Sequence, residues 1–180
     1  MPLLEIFTER LILRSISLND SDSILKYRAD IHVNKYQGWI PKNIEDVYDF
    51  IENRVVSEIN RVNTWHQLVI IHQESNKIIG DIGIHFMDNE NKQVEIGFTL
   101  DKDYQGMGFA SESVKEVLAY LFKKLNKHRV IASVDPRNIK SINLLERIGF
   151  RKEAHFIKSI FMDGEWVDDI IYAMLNEEWI

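Results

Sequence analysis

The sequence predicts an α+β (mixed α/β) domain in which helices pack on both faces of a mostly antiparallel sheet. Segments with an apolar residue at every second position are interleaved with segments whose apolar residues recur at steps of three and four. These are the periods of strands and of helices. Because consecutive strand segments in the middle of the chain are separated only by short turns, an antiparallel meander is expected there. The 180 residues favour one domain, residues 1–180.

The first half of the chain predicts a strand, two helices and a loop. Residues 10–16 alternate as a strand, and the polar residues 19–22 supply N-caps for a helix that follows. Residues 32–41 form a loop that contains Tyr36 and Trp39. From Asn43, apolar residues at helical steps run on to Val62 and predict a long helix.

The second half begins with the meander and ends with a hairpin. Strands are expected at 65–73, 78–86 and 93–100, with turns at 76–77 and 88–91. A helix with its apolar stripe between 110 and 125, a strand at 129–134 and a short helix at 138–147 follow. Gly149 closes that helix, and Asp163-Gly164 joins the last two strands, 150–162 and 166–175.

Composition excludes several classes of protein. Hydrophobic residues make up 45% and charged residues 28% of the chain, as in ordinary globular domains. The absence of cysteine excludes disulfides, cysteine-ligated metals and a cysteine nucleophile. The histidines show no metal-ligand spacing, so no metal is expected. A net charge of -6 disfavours a nucleic-acid partner and suits a cationic or neutral one.

The N-terminal run Met1-Pro2-Leu3-Leu4-Glu5 lacks the basic and long apolar regions of a signal peptide. The chain contains no apolar run of the roughly 18 residues that a membrane span requires. We therefore expect a cytoplasmic protein without a membrane partner.

The most informative segment is Gln105-Gly106-Met107-Gly108-Phe109-Ala110, which joins a strand to a helix. Glycines allow a ligand to approach the backbone, and the free N–H groups of a first helical turn favour phosphate. A plain tight connection is the alternative. The segment matches neither a P-loop nor a Rossmann fingerprint, because the required lysine and third glycine are absent. Later in the chain, Asn138 and Ser141 lie one turn apart at a helix start, where they could cap the helix or contact a ligand.

Together these segments resemble the GNAT superfamily of acyl-CoA-dependent N-acyltransferases, and most closely its RimJ/RimL-like branch. The likeness lies in the opening strand 8–14, the central strand 95–100, the Gln105-x-x-Gly108-x-Ala110 loop, and Asn138-x-x-Ser141 with the following 146–150. It covers almost the whole chain. It implies a twisted sheet splayed at its central strands, with acetyl-CoA in the splay.

The resemblance also implies the cofactor contacts. The pantetheine arm would pair with Phe98, Thr99 and Leu100, and the pyrophosphate would sit on the amides of 105–110. Asn138 and Ser141 would lie near the thioester. In many members a tyrosine seven residues after the asparagine protonates the leaving thiolate, but this chain has Leu145 there. The alternatives are that Ser141 or a water molecule protonates the thiolate, or that no acid is needed, since a thiol has a pKa of about 8.5.

A general base is predicted from strand alternation. Within 93–100, Glu95 lies on the face opposite the apolar residues. If Ile84 pairs with Ile96, His85 lies beside Glu95 and is either a rival base or an orienting partner. An exposed, purely structural role is the alternative for both side chains.

The leading hypothesis is direct transfer of an acetyl group to a primary amine, in a ternary complex and without an acetyl-enzyme. The acceptor is a protein N-terminal α-amine or a small-molecule amine, and Tyr36 and Trp39 are candidates to line its pocket. The alternative is a non-catalytic acyl-CoA-binding or sensing protein of the same fold. A homodimer is expected by analogy alone.

Overall fold

The computed structural model describes residues 4–87 and 89–179. In chain order the strands are β1 (Glu5–Phe7), β2 (Leu11–Ser15), β3 (Thr64–His72), β4 (Lys77–Phe86), β5 (Gln93–Leu100), β6 (Arg129–Val134), β7 (Arg151–Met162) and β8 (Glu165–Leu175). The helices are α1 (Ser21–Arg28), α2 (Ile44–Asp49), α3 (Phe109–Ala119) and α4 (Ile139–Ile148). Widened turns extend α2 through Arg54 and α3 through Lys124.

All eight strands form one sheet in the order β1-β2-β3-β4-β5-β6-β8-β7. Every neighbouring pair is antiparallel except β5 and β6, which run parallel. That parallel pairing covers only Gln93–Glu95 against Arg129–Ile131, after which the two strands separate. The predicted α+β class, the mostly antiparallel sheet and the splay at its central strands are confirmed.

Helices cover both faces of the sheet. The larger core lies on the face where α3 and α4 pack against Leu11, Ile82 and Ile96. A smaller cluster on the opposite face joins Tyr27 and Val47, from α1 and α2, to β3. Because neighbouring residues of a strand point to opposite faces, β2, β3 and β4 contribute to both clusters.

Most predicted elements are confirmed, and the long helix from Asn43 to Val62 is wrong. The helical turns end at Arg54, where Val55 adopts an extended conformation with φ −120°. Val56 then donates its N–H to the Trp65 carbonyl, so this segment bonds to β3 instead of continuing the helix. β-Branched residues such as Val55 and Val56 favour extended backbone. The predicted long helix rested only on the spacing of apolar residues, which does not include that preference.

Two further differences lie in the short elements. Strand β1, which pairs with β2, was not expected from the sequence. Within the predicted turn at 88–91, Asp88 lies outside the described residues, as do Met1–Leu3 of the N-terminal run. In residues 4–87 and 89–179, no helix is long and apolar enough to cross a bilayer.

Candidate active site

The separation of β5 from β6 leaves backbone groups of β5 without a strand partner. The Met87 N–H donates to the Gln93 carbonyl, and the Asp101 N–H donates to the Ile79 carbonyl. In this register the odd-numbered residues of β5 direct their backbone N–H and C=O groups to β4. The even-numbered residues therefore face β6, and β6 diverges after Glu95. The resulting cleft is lined by Tyr36, Gln37, Ile96, Gly97, Phe98, Ala132, Ser133, Val134, Asp135, Asn138 and Ser141.

Side-chain amides occupy part of this open edge. Gln37 donates from Nε2 to the Phe98 carbonyl at 3.3 Å, and Gln105 donates from Nε2 to the Leu100 carbonyl at 3.0 Å. An extended ligand with amide groups can form bonds of the same kind along β5. The edge of β5 that is predicted to pair with a pantetheine arm therefore presents backbone carbonyls whose partners are side-chain amides, and a ligand can displace those amides.

The glycine loop connects this edge to α3. Gly106 and Gly108 have φ of 79° and 85°, a left-handed conformation that L side chains rarely adopt. Gly108 is the N-cap of α3, so the N–H groups of the first helical turn have no partner within the helix. These groups, together with the positive end of the helix dipole, form a site suited to phosphate.

Cationic side chains surround the loop. Arg10 donates to the Met107 carbonyl at 3.1 Å, and its guanidinium lies 4.4 Å from the centroid of the Phe109 ring. From α4, Lys140 Nζ donates to Gln105 Oε1 at 3.1 Å, and Arg147 reaches Ser111 Oγ at 3.0 Å. Arg10 also forms an ion pair with Glu112 of α3 at 2.7 Å. Lys140 and Arg147 are therefore the cations beside the loop that have no carboxylate partner among the described residues, in a chain whose net charge is -6.

Asn138 is the N-cap of α4. Its side-chain oxygen accepts from the Ser141 N–H at 3.3 Å, which is the capping role that the sequence offered as an alternative. Both side chains also line the cleft. Capping uses the asparagine oxygen and leaves its amide N–H groups available, so cap and ligand contact are compatible.

The predicted strand register of the acid–base pair is present. Ile84 pairs with Ile96, and His85 pairs with Glu95. His85 Nδ1 lies 3.5 Å from Glu95 Oε2, and the two side chains are 28% and 26% exposed. The His85 ring stacks on Trp65 with centroids 4.6 Å apart. Glu95 is therefore a partly solvated carboxylate at the point where the cleft opens.

Glycines leave the sheet open beside Glu95. Gly83 pairs with Gly97 in the next step of the register. A Cβ added at Gly97 would meet no described atom within 4 Å, whereas one at Gly83 would contact Gln67 and Trp65. This face therefore leaves room for a second substrate above β5, on the side opposite α3 and α4.

A buried ionic network lies further along the same face, and the sequence analysis missed it. Asp81, 2% exposed, accepts from Tyr27 at 2.5 Å and forms an ion pair with Arg28. Gln67 adds a hydrogen bond of 2.7 Å. Burial raises the pKa of Tyr27 well above its usual value, and the Asp81 carboxylate raises it further. The signal in the sequence was Asp81 itself, an aspartate within an apolar strand, because a buried aspartate requires a partner.

The remaining predicted residues divide between cleft and core. Tyr36 lines the cleft, and its ring lies 5.7 Å from the Arg137 guanidinium. Trp39 instead stacks on Phe50 at 4.2 Å and is not among the described residues that line the cleft. Leu145 is fully buried in the main core.

Comparison with known proteins agrees with this geometry. The GNAT acetyltransferase domain model matches residues 10–151. The uncharacterized N-acetyltransferase YnaD of Bacillus subtilis is 34% identical over 179 residues, covering 98% of this chain and 99% of the relative. A solved GNAT-family acetyltransferase from Bacillus anthracis is 31% identical, with a TM-score of 0.86, covering 97% of this chain and 100% of that one.

A more distant structure shares the fold. A RimL ribosomal-protein α-N-acetyltransferase, solved in complex with coenzyme A, has a TM-score of 0.82 at 18% identity. The alignment covers 97% of this chain and 98% of that protein.

Proposed function

This chain belongs to the GNAT acetyltransferase family and is an N-acetyltransferase, and we propose that it moves the acetyl group of acetyl-CoA directly to a primary amine. The observation that carries this proposal is the cleft between β5 and β6. The cleft connects the glycine loop, which suits phosphate, to an open face that carries a carboxylate.

The cofactor lies along β5 on the loop side. Its pantetheine amides pair with the even-numbered residues of β5, where Gln37 and Gln105 release the carbonyls that they hold. The pyrophosphate sits on the N–H groups around Gly106 and Gly108, near Arg10 and Lys140. A protein of the same fold has been solved in complex with coenzyme A, which supports coenzyme A as a ligand of this fold.

The amine approaches from the opposite face, above Gly83 and Gly97. Glu95 removes a proton from the ammonium, directly or through water, and the nitrogen lone pair then attacks the acetyl carbonyl carbon. The nitrogen then loses its second proton to solvent, and the tetrahedral intermediate collapses as the carbon–sulfur bond breaks. The coenzyme A thiolate takes a proton from solvent, either directly or relayed through the hydroxyl of Ser141, a residue of the cleft lining.

The second functional alternative, a non-catalytic acyl-CoA sensor, is set aside because the chain is an N-acetyltransferase. Among possible acceptors of the enzyme, a protein N-terminal α-amine has a pKa of about 7.7–8.0 and a lysine amine has a pKa of about 10.4. The α-amine therefore needs less assistance from a base at neutral pH. Small-molecule primary amines remain acceptors of the same chemical class.

Turnover with a panel of amines tests the proposal. Purified protein is mixed with acetyl-CoA and one amine at a time, and released thiol and acetylated amine are both measured. We expect thiol release to require an amine and to equal the acetylated product. In acetyl-CoA alone, the protein mass should stay unchanged. Persistent addition of one acetyl group to a cleft residue would overturn direct transfer.

A further inference from the structure

The buried aspartates differ in how their charge is compensated. Within residues 4–87 and 89–179, four aspartates are less than a tenth exposed: Asp20, Asp81, Asp135 and Asp169. Three of them form ion pairs with arginine: Asp20 with Arg14, Asp81 with Arg28 and Asp135 with Arg137. Asp169, 8% exposed, has no cationic partner in the part of the chain that the structure describes. Its hydrogen-bonding partner is the hydroxyl of Ser133, at 2.7 Å.

Asp169 lies directly behind the wall of the cleft. Ser133 lines the cleft and pairs with Ile171 of β8. Asp169 is two residues before Ile171, so both point to the face that carries Ser133. Because Ile131 pairs with Glu95, this is also the face of Glu95 and Gly97. Asp169 thus belongs to the open face assigned above to the amine.

An isolated buried carboxylate is unfavourable unless a cation or several donors compensate it. Ser133 supplies one donor. A hydroxyl that donates to a carboxylate keeps its lone pairs as acceptors, and those of Ser133 are at the cleft wall. An ammonium there would bond to a hydroxyl polarised by the carboxylate behind it. The same face holds another polar group without a partner among the described residues, the Thr99 hydroxyl, whose residue is 4% exposed.

We propose that Ser133 and Asp169 bind a second cationic group of the acceptor, so that the preferred acceptor is an amine with two positive charges. This inference rests on the proposed acetyl transfer. β8 is two strands away from β5, a separation of at least about 9–10 Å, because β5 and β6 have already diverged at the level of Ser133. The reacting nitrogen belongs near β5 and Glu95. The charge at Asp169 is therefore a different one, and Asp169 is a specificity-determining residue rather than the base.

The test compares 1,4-diaminobutane with butylamine as acceptors, in the intact protein and in Asp169→Asn. A peptide pair, Ala-Lys-amide and Ala-norleucine-amide, asks whether the second charge belongs to a polypeptide. We expect the unmodified protein to prefer the dicationic member of at least one pair by about tenfold or more in kcat/KM. Asp169→Asn should remove that preference through KM. The monocationic amine and acetyl-CoA should change by less than about twofold, because neither contacts Asp169.

Asp168→Asn is the matched control. It removes the same charge one residue away, but Asp168 pairs with His155 at 2.8 Å and lies on the other face. It should keep the preference. Ser133→Ala serves as a second variant if Asp169→Asn fails to fold, and should weaken the preference in the same direction.

Three results would overturn the inference: no preference for either dicationic acceptor, an equal loss with mono- and dicationic amines in Asp169→Asn, or the same loss in Asp168→Asn. Failure of the proposed acetyl transfer would look different. In that case butylamine, the peptides and the diamine would all leave acetyl-CoA intact in the unmodified protein.

Discussion

The two proposed binding regions, the cofactor loop and the acceptor face, are built in different ways. Residues 105–110 are contiguous, and their chemistry comes from backbone N–H groups exposed by two left-handed glycines. The acceptor face instead assembles single side chains from separate strands: His85, Glu95, Ser133 and Asp169. The comparison teaches that a backbone site appears in the sequence as a local motif, whereas a side-chain site depends on strand register.

The largest effect expected on the acceptor face is that of Glu95→Gln. This variant keeps the size of the side chain and its hydrogen bonding but removes its basicity. A general base contributes about 10²–10⁴-fold, so kcat at neutral pH should fall within that range. The loss should shrink as the pH rises, because a larger fraction of the amine is then already neutral. A pH–rate profile with a good acceptor measures this.

His85→Gln is the paired variant, because His85 is the nearest rival to Glu95, at 3.5 Å. We expect a smaller loss. If Glu95→Gln keeps the full rate while His85→Gln loses the acid limb of the pH–rate profile, His85 is the base. If neither variant changes the profile, the reaction uses the neutral fraction of the amine without a protein base.

The acceptor face also depends on a buried ion pair, whereas the cofactor loop lies at the surface. Arg28→Met leaves the Asp81 carboxylate buried without its cation. Breaking one partner of such a pair costs about 3–5 kcal/mol of folding free energy. Urea unfolding should show that loss. The surface variant Arg54→Met, which breaks an exposed pair with Asp49, should change stability by less than about 1 kcal/mol. Similar losses in both would contradict the role given to burial.

The smallest expected effect concerns the cap of α4. Asn138→Ala removes a cap and should cost about 0.5–2 kcal/mol. Asn43→Ala is its control, because Asn43 caps α2 through a bond of 2.9 Å to Asp46 and does not line the cleft among the described residues. If Asn138 also contacts the cofactor, its variant alone should raise the KM for acetyl-CoA. Equal stability losses with unchanged KM in both would leave Asn138 as a cap only.

The fold and the acid–base register were accessible from sequence because each follows from local periodicity. Alternation along β4 and β5 placed His85 beside Glu95 once apolar faces were matched, and no bulge disturbs that pairing. The hairpin at Asp163-Gly164 was also predictable, because Asp-Gly favours the positive φ that such a turn requires and both residues adopt it.

Other features depend on tertiary contacts that periodicity does not encode. The end of α2 is set by the bond between Val56 and Trp65, and the ion pair of Arg28 with Asp81 joins residues 53 positions apart. The burial of Asp169 also depends on tertiary contacts. Only Asp168 is partly exposed; the neighbouring side chain lies on the opposite face, against Ser133.

The central claim is that the glycine loop binds acetyl-CoA independently of the acceptor face. Calorimetric titration of acetyl-CoA into Gly108→Val tests it most directly. Gly164→Val is the control, since Gly164 has nearly the same φ, 86° against 85°, in a hairpin turn distant from α3 in sequence. We predict that Gly108→Val weakens binding by at least about tenfold, while Gly164→Val and Glu95→Gln bind normally. Unchanged affinity in a folded Gly108→Val, or an equal loss in Glu95→Gln, would contradict the account.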